Sequence, residues 1–166
     1  MKVLLVIDMQ NVCVGEKHGD FFKYDNEQLI AKVNKAIENN EGNLVVYIKN
    51  VMKNNFISKF APVHAFEGTE EVELVEGLNK VSEYIFTKYK GDAFSNDGLV
   101  AFLKSKNVNH IEVVGVDGGG CVALTAIGAI KRGYKVTVNT QAIGTMFYKK
   151  QEKHFKKLKQ LGADFI

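Results

Sequence analysis

Val113-Val114-Gly115-Val116-Asp117-Gly118-Gly119-Gly120-Cys121-Val122 is the stretch on which the reading of this chain turns. A β-branched run gives way to a glycine turn and then to a segment that is apolar nearly all round through Ile130, so it reads as strand, turn and buried helix. Lys131, Arg132 and Gly133 close that helix, cations and a glycine standing where a helix carboxyl end favours them. Outward in both directions the same unit repeats. Val3 to Ile7, Leu44 to Ile48, Tyr84 to Thr87, Ile111 to Val114 and Val136 to Val138 are five clear strands, and Ala163 to Ile166 is a short sixth, entered through Gly162. Leu29, Val33, Ala36 and Ile37 form one apolar helical stripe between them, and Leu99, Phe102 and Leu103 another. Strands alternating with helices in this way build a parallel sheet from βα units.

With 166 residues the chain is of single-domain size, and 46% apolar with 25% charged residues is the balance of an ordinary globular protein. The net charge is only +3. The dense basic cluster from Lys149 to Lys159 is interrupted at helical spacing by Phe155, Leu158 and Leu161, so it reads as the wet face of an amphipathic helix. No nucleic-acid motif accompanies it, and no nucleic-acid partner is expected. The apolar run before Asp8 is too brief for a signal-peptide core or a membrane span, which leads us to expect a cytoplasmic protein with no membrane partner. Only Cys13 and Cys121 are present, so there is no disulfide framework. The stretch 50–82 breaks the βα rhythm, holds the only proline, Pro62, and a short helix after Thr69, and is a candidate lid.

In open parallel sheets ligands bind beyond the carboxyl ends of the strands, near the point where strand order reverses. Asp8 ends the first strand, Lys88 follows the third, and Cys121 follows the fourth, which puts three reactive residues on one rim. A thiol at a helix amino terminus is favoured as thiolate by the unpaired N–H groups and the dipole, and Lys88 adds a cation to the same rim. The N–H groups of Gly120 and Cys121 are candidates for an oxyanion hole. The same segment also admits a buried core cysteine after a tight turn, or an anion-cradling loop, although it matches neither nucleotide-binding glycine pattern in register. Asp8, partly desolvated at a strand end, suits a group that takes and returns a proton; its alternative is a loop-capping aspartate.

These segments resemble the isochorismatase-like superfamily of cysteine hydrolases, which includes nicotinamidases, carbamoylsarcosine and ureido-group amidohydrolases, and isochorismatases. Leu4-Leu5-Val6-Ile7-Asp8-Met9-Gln10-Asn11 is similar to the family's opening strand with its Asp-x-Gln-Asn signature. Lys88-Tyr89-Lys90-Gly91-Asp92-Ala93-Phe94 is similar to its Lys-x-x-x-Ser-Ala-Phe segment, with Asp92 in place of the serine. Cys121-Val122-Ala123-Leu124-Thr125-Ala126, with Ala129, Gly133 and Tyr134, resembles the nucleophile helix. The resemblance implies Cys121 as nucleophile, Asp8 as proton acceptor and donor, Lys88 as the cation orienting both, and a cis peptide between Val116 and Asp117. It also implies a homo-oligomer.

The departures bear on substrate. Val12 and Cys13 follow Asn11 where the family has Asp and Phe, so Gln10 and Cys13 are expected to line a pocket in which the two thiols share one site. Lys49-Asn50-Val51-Met52-Lys53 lacks the nicotinamidase Asp-x-His metal segment, while His18, His64, His110 and His154 have no metal-site spacing, so no metal or other cofactor is expected. Gln141 stands where an acidic residue is common. The fold expected is a single α/β domain over 1–166, doubly wound in three layers, Rossmann-like, with a mostly parallel six-stranded sheet ordered 3-2-1-4-5-6. The function expected is a cysteine hydrolase of a small amide or ureido-type C–N bond. Vinyl-ether hydrolysis with Asp8 as acid, and a non-catalytic metabolite-binding domain, are the alternatives.

Overall fold

The computed structural model describes residues 1–16, 18, 22–52 and 65–166. Its elements are β1 (Lys2–Ile7), α1 (Asn11–Val14), α2 (Asn26–Glu38), β2 (Leu44–Asn50), β3 (Ile85–Lys88), α3 (Asp97–Ser105), β4 (His110–Val116), α4 (Cys121–Lys131), β5 (Lys135–Gly144), α5 (Tyr148–Gln160) and β6 (Asp164–Phe165). Single turns of 3-10 helix lie at Glu70–Val72 and Ala93–Ser95. The strands form one sheet in the order β3-β2-β1-β4-β5-β6, and every pairing is parallel. The expectation of a mostly parallel sheet is thus met in full. From β1 the chain winds outward through β2 to β3, then returns to β4 and winds outward the other way. The reversal falls between β1 and β4.

Alternation along the strands divides the core into two layers, because successive side chains point to opposite faces. Val3, Leu5 and Ile7 of β1 join Leu99, Leu103, Val122, Ala126 and Leu158 on the face covered by α3, α4 and α5. Leu4 and Val6 join Leu29, Val33, Ala36 and Ile37 of α2 on the other. The helix starts are set locally, since the Asp25 carboxylate accepts from Gln28 N–H to open α2 and Asn96 Oδ1 accepts from Leu99 N–H to open α3. On α5, Leu158 is buried and Phe155 half-buried, as its stripe requires, but Leu161 lies beyond the helix and is exposed.

All six strands differ at one end or both from their sequence reading, and the differences at β3 and β5 have specific causes. β3 starts one residue late and includes Lys88, whose carbonyl accepts from Val51 N–H at 2.9 Å. β5 continues well past Val138 through polar Asn139, Thr140 and Gln141, of which Asn139 is a poor strand former. Partners explain the difference, since Asn139 donates to Glu112 (2.9 Å) and Thr140 to the Ile166 carbonyl (2.7 Å). Gly115 sits at the register shift between β4 and β5 with φ 106°, and a Cβ there would run into the Ile7 carbonyl, so only glycine suits this place.

Of the expected lid, residues 53–64, with Pro62 and His64, lie outside the described residues. The rest of it is tied to the body. Met52 bridges Phe66, and Leu74 pairs with Gln10. Leu74, Val75 and Leu78 are buried in the layer beneath α2. Among the described residues no helix is long and apolar enough to cross a membrane.

Candidate active site

Asp8, Lys88 and Cys121 meet at the carboxyl rim, beside the reversal point. Asp8 follows β1 in the left-handed region, with φ 52°, a conformation aspartate tolerates better than most residues. Its N–H is held by the Ile48 carbonyl at 2.9 Å. Lys88, the last residue of β3, is 1% exposed and donates from Nζ to Asp8 Oδ2 at 2.8 Å and to Cys121 Sγ at 3.2 Å. Cys121, the first residue of α4, is half-buried. Asp8 Oδ1 is buried with no hydrogen-bond partner.

The protonation of this trio differs from what a helix terminus alone would give. Burial pushes the Cys121 thiol up to about 12, the Asp8 charge adds to this, and the Lys88 ammonium opposes it. Removal from water and the Asp8 charge thus work against the thiolate that the helix dipole and Lys88 favour. Burial also pushes the Asp8 carboxyl up, against the lowering effect of Lys88. Burial works against the Lys88 charge as well, but Asp8 and Cys121 outweigh it, and the amine is held as ammonium. The site is a thiol whose pKa is raised, beside a carboxyl whose pKa is raised as well, with a fixed cation touching both.

The Val116–Asp117 peptide bond is cis. Gly120 N–H donates to the Asp117 carbonyl at 2.9 Å, so it is not the free oxyanion donor that the sequence suggested; the tight turn closes on that very group. Cys121 N–H, at the start of α4, has no acceptor among the described residues and remains available. Gln10 is likewise corrected. Its Nε2 donates to the carbonyls of Asn50 (3.1 Å) and Val72 (2.8 Å), and its Oε1 accepts from Asn50 N–H (2.8 Å). It clamps β2 to the 70–72 turn and offers no polar atom to a substrate.

Cys13 lies close enough to the trio that Asp8 and Cys121, after burial, raise its thiol. Tyr24, which no motif singled out, donates from its hydroxyl to the Cys13 carbonyl at 2.9 Å and is raised by burial, then by Cys13, Asp117 and Asp8. It walls the same space. Asp92, standing where the family pattern has serine, accepts from Phe94 N–H at 2.9 Å and packs its carboxylate against Gly128 of α4, a structural task. Gln141 is exposed on β5. Among the described residues no group of three or more His, Cys, Asp or Glu is placed to hold a metal ion.

A doubly wound sheet with a thiol at its reversal point defines a Rossmann-like α/β protein with a cysteine-centred site. Residues 2–166 match the isochorismatase domain, and the chain belongs to that family of hydrolases. It is similar to an isochorismatase-like hydrolase from Alkaliphilus metalliredigens, with 26% identity, a TM-score of 0.84, and coverage of 99% of this chain and 93% of that one. A pyrazinamidase/nicotinamidase from Streptococcus mutans is 23% identical at a TM-score of 0.82, covering 100% of both chains. N-carbamoylsarcosine amidase from Thermoplasma acidophilum is 21% identical at 0.81, covering 99% of this chain and 94% of that one. At these identities the last two speak to the fold alone. No curated protein matches the chain in sequence.

Proposed function

We propose that this chain hydrolyses a small amide or ureido-type C–N bond through a thioester on Cys121. The observation that carries the reading is the bridge made by Lys88 Nζ, 2.8 Å from Asp8 Oδ2 and 3.2 Å from Cys121 Sγ. Asp8 takes the thiol proton as sulfur adds to the carbonyl carbon, and Lys88 stabilises the sulfur anion as it forms. Cys121 N–H donates to the oxyanion. Asp8 then returns the proton to the departing nitrogen, the C–N bond breaks, and ammonia or an amine leaves. Water adds to the thioester with Asp8 taking its proton; the carboxylic or carbamic acid departs, and the thiol recovers its hydrogen. The raised thiol fits this sequence, since a general base is needed only where the nucleophile rests protonated. The amidase chemistry named for the Streptococcus and Thermoplasma proteins points the same way. The substrate is a small molecule, the protein works as a cytoplasmic homo-oligomer, and neither nucleic acid nor membrane takes part.

The raised Asp8 carboxyl favours a second reading, in which it protonates a vinyl ether and no covalent step is needed. A screen of small primary amides, ureido acids and vinyl ethers with wild type and Cys121→Ala separates them. Amide turnover abolished in the variant, with an acyl adduct on Cys121 seen by mass spectrometry of the quenched wild type, is the expected result. Vinyl-ether turnover that survives Cys121→Ala overturns it, and ligand binding without turnover across the panel reduces the protein to a binding domain.

A further inference from the structure

Gly118, Gly119 and Gly120 run together into Cys121, and three glycines in a row leave a backbone with little conformational preference of its own. The reaction above needs the opposite, because an N–H donor stabilises an oxyanion only when held about 2.7–3.1 Å from the place where the charge forms. The turn from Asp117 to Gly120 therefore takes its shape from what it is fastened to. Asp117 is the only residue in it with a side chain, and it is 8% exposed.

The fastening is to the segment that joins β5 to α5. Asp117 Oδ1 accepts from Met146 N–H at 2.7 Å, and Gly118 N–H donates to the Gly144 carbonyl at 3.0 Å. Gly119 packs on the Phe147 carbonyl so closely that no side chain would fit between them. Asp117 also reaches the nucleophile helix, since its carbonyl accepts from Gly120 N–H at 2.9 Å and from Val122 N–H at 3.1 Å. The N–H groups before and after Cys121 are thus both bound to one oxygen, and the Cys121 N–H between them has no acceptor among the described residues. The side chain holds through Oδ1 alone, because Oδ2 is buried with no partner.

We propose that Asp117 is the positioning residue of the oxyanion donor: its side chain, anchored on Met146 N–H, locks the glycine turn to the β5–α5 segment and aims the Cys121 N–H at the oxygen of the carbonyl under attack. The assignment deepens the proposed hydrolysis and rests on it for the chemistry, but the aim of the N–H can be read without turnover. Asp117 acts through the backbone and not on the reacting atoms. A misplacement of about 1 Å at such a donor costs about 10²-fold in rate, which is the penalty expected when the anchor is removed.

Propionaldehyde reads the aim directly, since its carbonyl carbon takes the Cys121 sulfur, its oxygen takes the thiol proton, and that oxygen then accepts from the Cys121 N–H. Its protection of Cys121 against iodoacetamide gives the affinity, and the alkylation rate without aldehyde reports the thiol alone. Asp117→Ala should need about tenfold more aldehyde than wild type for equal protection, while its own alkylation rate stays within about twofold. Asp117→Asn removes the same charge but keeps an oxygen for Met146 N–H, and should protect at a concentration within about twofold of wild type. Equal protection in wild type and Asp117→Ala overturns the assignment, and so does an Asp117→Asn variant as weak as Asp117→Ala. A loss of protection matched by an equal change in alkylation rate also overturns it, since the whole site has then been disturbed. Hydrogen exchange in wild type needs no variant: the Met146 amide should exchange slowly and the Cys121 amide fast, and saturating propionaldehyde should slow the Cys121 amide about tenfold or more. A Cys121 amide that propionaldehyde leaves unchanged overturns the assignment. The expected aldehyde pattern, with no amide turned over by wild type, keeps Asp117 as the residue that aims the N–H and overturns the proposed hydrolysis instead.

Discussion

Lys88 and Cys121 stand 33 residues apart in the chain, and the Nζ of one lies 3.2 Å from the Sγ of the other. In the sheet, β2 and β1 separate the strand that carries Lys88 from the strand that leads to Cys121, so the lysine stem runs buried across the rim. The ammonium is held at its end by Asp8 Oδ2. Lys88→Met should cost about 3–5 kcal/mol of unfolding free energy in urea titration, because Asp8 is left buried without its counter-charge. In the folded variant the alkylation profile of Cys121 should move to higher pH, since the ammonium that lowers its pKa is gone. A profile that stays in place would remove Lys88 from its role.

Asp8→Asn should do the opposite to the thiol. The Asp8 charge raises Cys121, so its removal should shift the alkylation profile to lower pH. Turnover should nevertheless fall by about 10²–10⁴-fold, because the proton acceptor is lost. A faster-labelling, slower-working enzyme is a signature that misfolding does not produce. Retained turnover in Asp8→Asn would exclude the proton-transfer role.

Both thiols should be slow to react at neutral pH, because burial raises both. Cys121 should still label first, since the Lys88 ammonium donates directly to its sulfur. Peptide mapping after brief iodoacetamide exposure across pH 6–10, roughly the span in which thiols titrate, checks the order. Labelling of Cys13 ahead of Cys121 would contradict the arrangement of charge described above.

Acid stability should depend on Glu112, far from the site. Burial alone would raise this carboxyl, but hydrogen bonds from Lys2, Asn139 and Asn40 outweigh it, and the pKa is lowered from 4.5. The folded state thus binds the proton more weakly than the unfolded chain. The stabilisation is present above the ordinary carboxylate value and lost as pH falls through the depressed one. Wild type should be more stable than Glu112→Gln at pH 7, and the margin in urea titrations should shrink as pH falls below 4.5. A margin independent of pH would mean that the charge of Glu112 contributes nothing.

Gly115→Ala should lower stability by about 2–4 kcal/mol in thermal or chemical unfolding. Two costs combine, the positive φ of 106° and the collision of the new methyl with the Ile7 carbonyl. Gly128 offers a milder case, since Gly128→Ala would press a methyl on the Asp92 carboxylate, but there a side chain and not backbone has to yield. Equal losses in the two variants would mean that the backbone collision at Gly115 carries no cost of its own.

Val3 to Ile7, the Leu29, Val33, Ala36 and Ile37 stripe, and the apolar run after Cys121 were legible because backbone geometry imposes spacings of 2.0 and 3.6 residues on any buried face. The rim positions of Asp8, Lys88 and Cys121 followed from those elements and from the parallel winding. What local order could not carry is the destination of each polar atom. Gln10 looks in sequence like a pocket residue, and its amide is wholly engaged by the backbone of Asn50 and Val72. Gly120 looks like an oxyanion donor, and its N–H is held by Asp117. Asp117 attracts notice in sequence only as a neighbour of the cis bond, although its Oδ1 holds Met146 N–H and its Oδ2 is buried without a partner. The thiol, expected as an anion from its helix terminus, is pushed toward its protonated form by burial and by a carboxylate from another strand. Secondary structure arises from neighbours in the chain, so pattern reveals it. Hydrogen-bond partners, burial and the charges that set a pKa come from residues tens of positions away, and these are fixed only when the sheet is assembled.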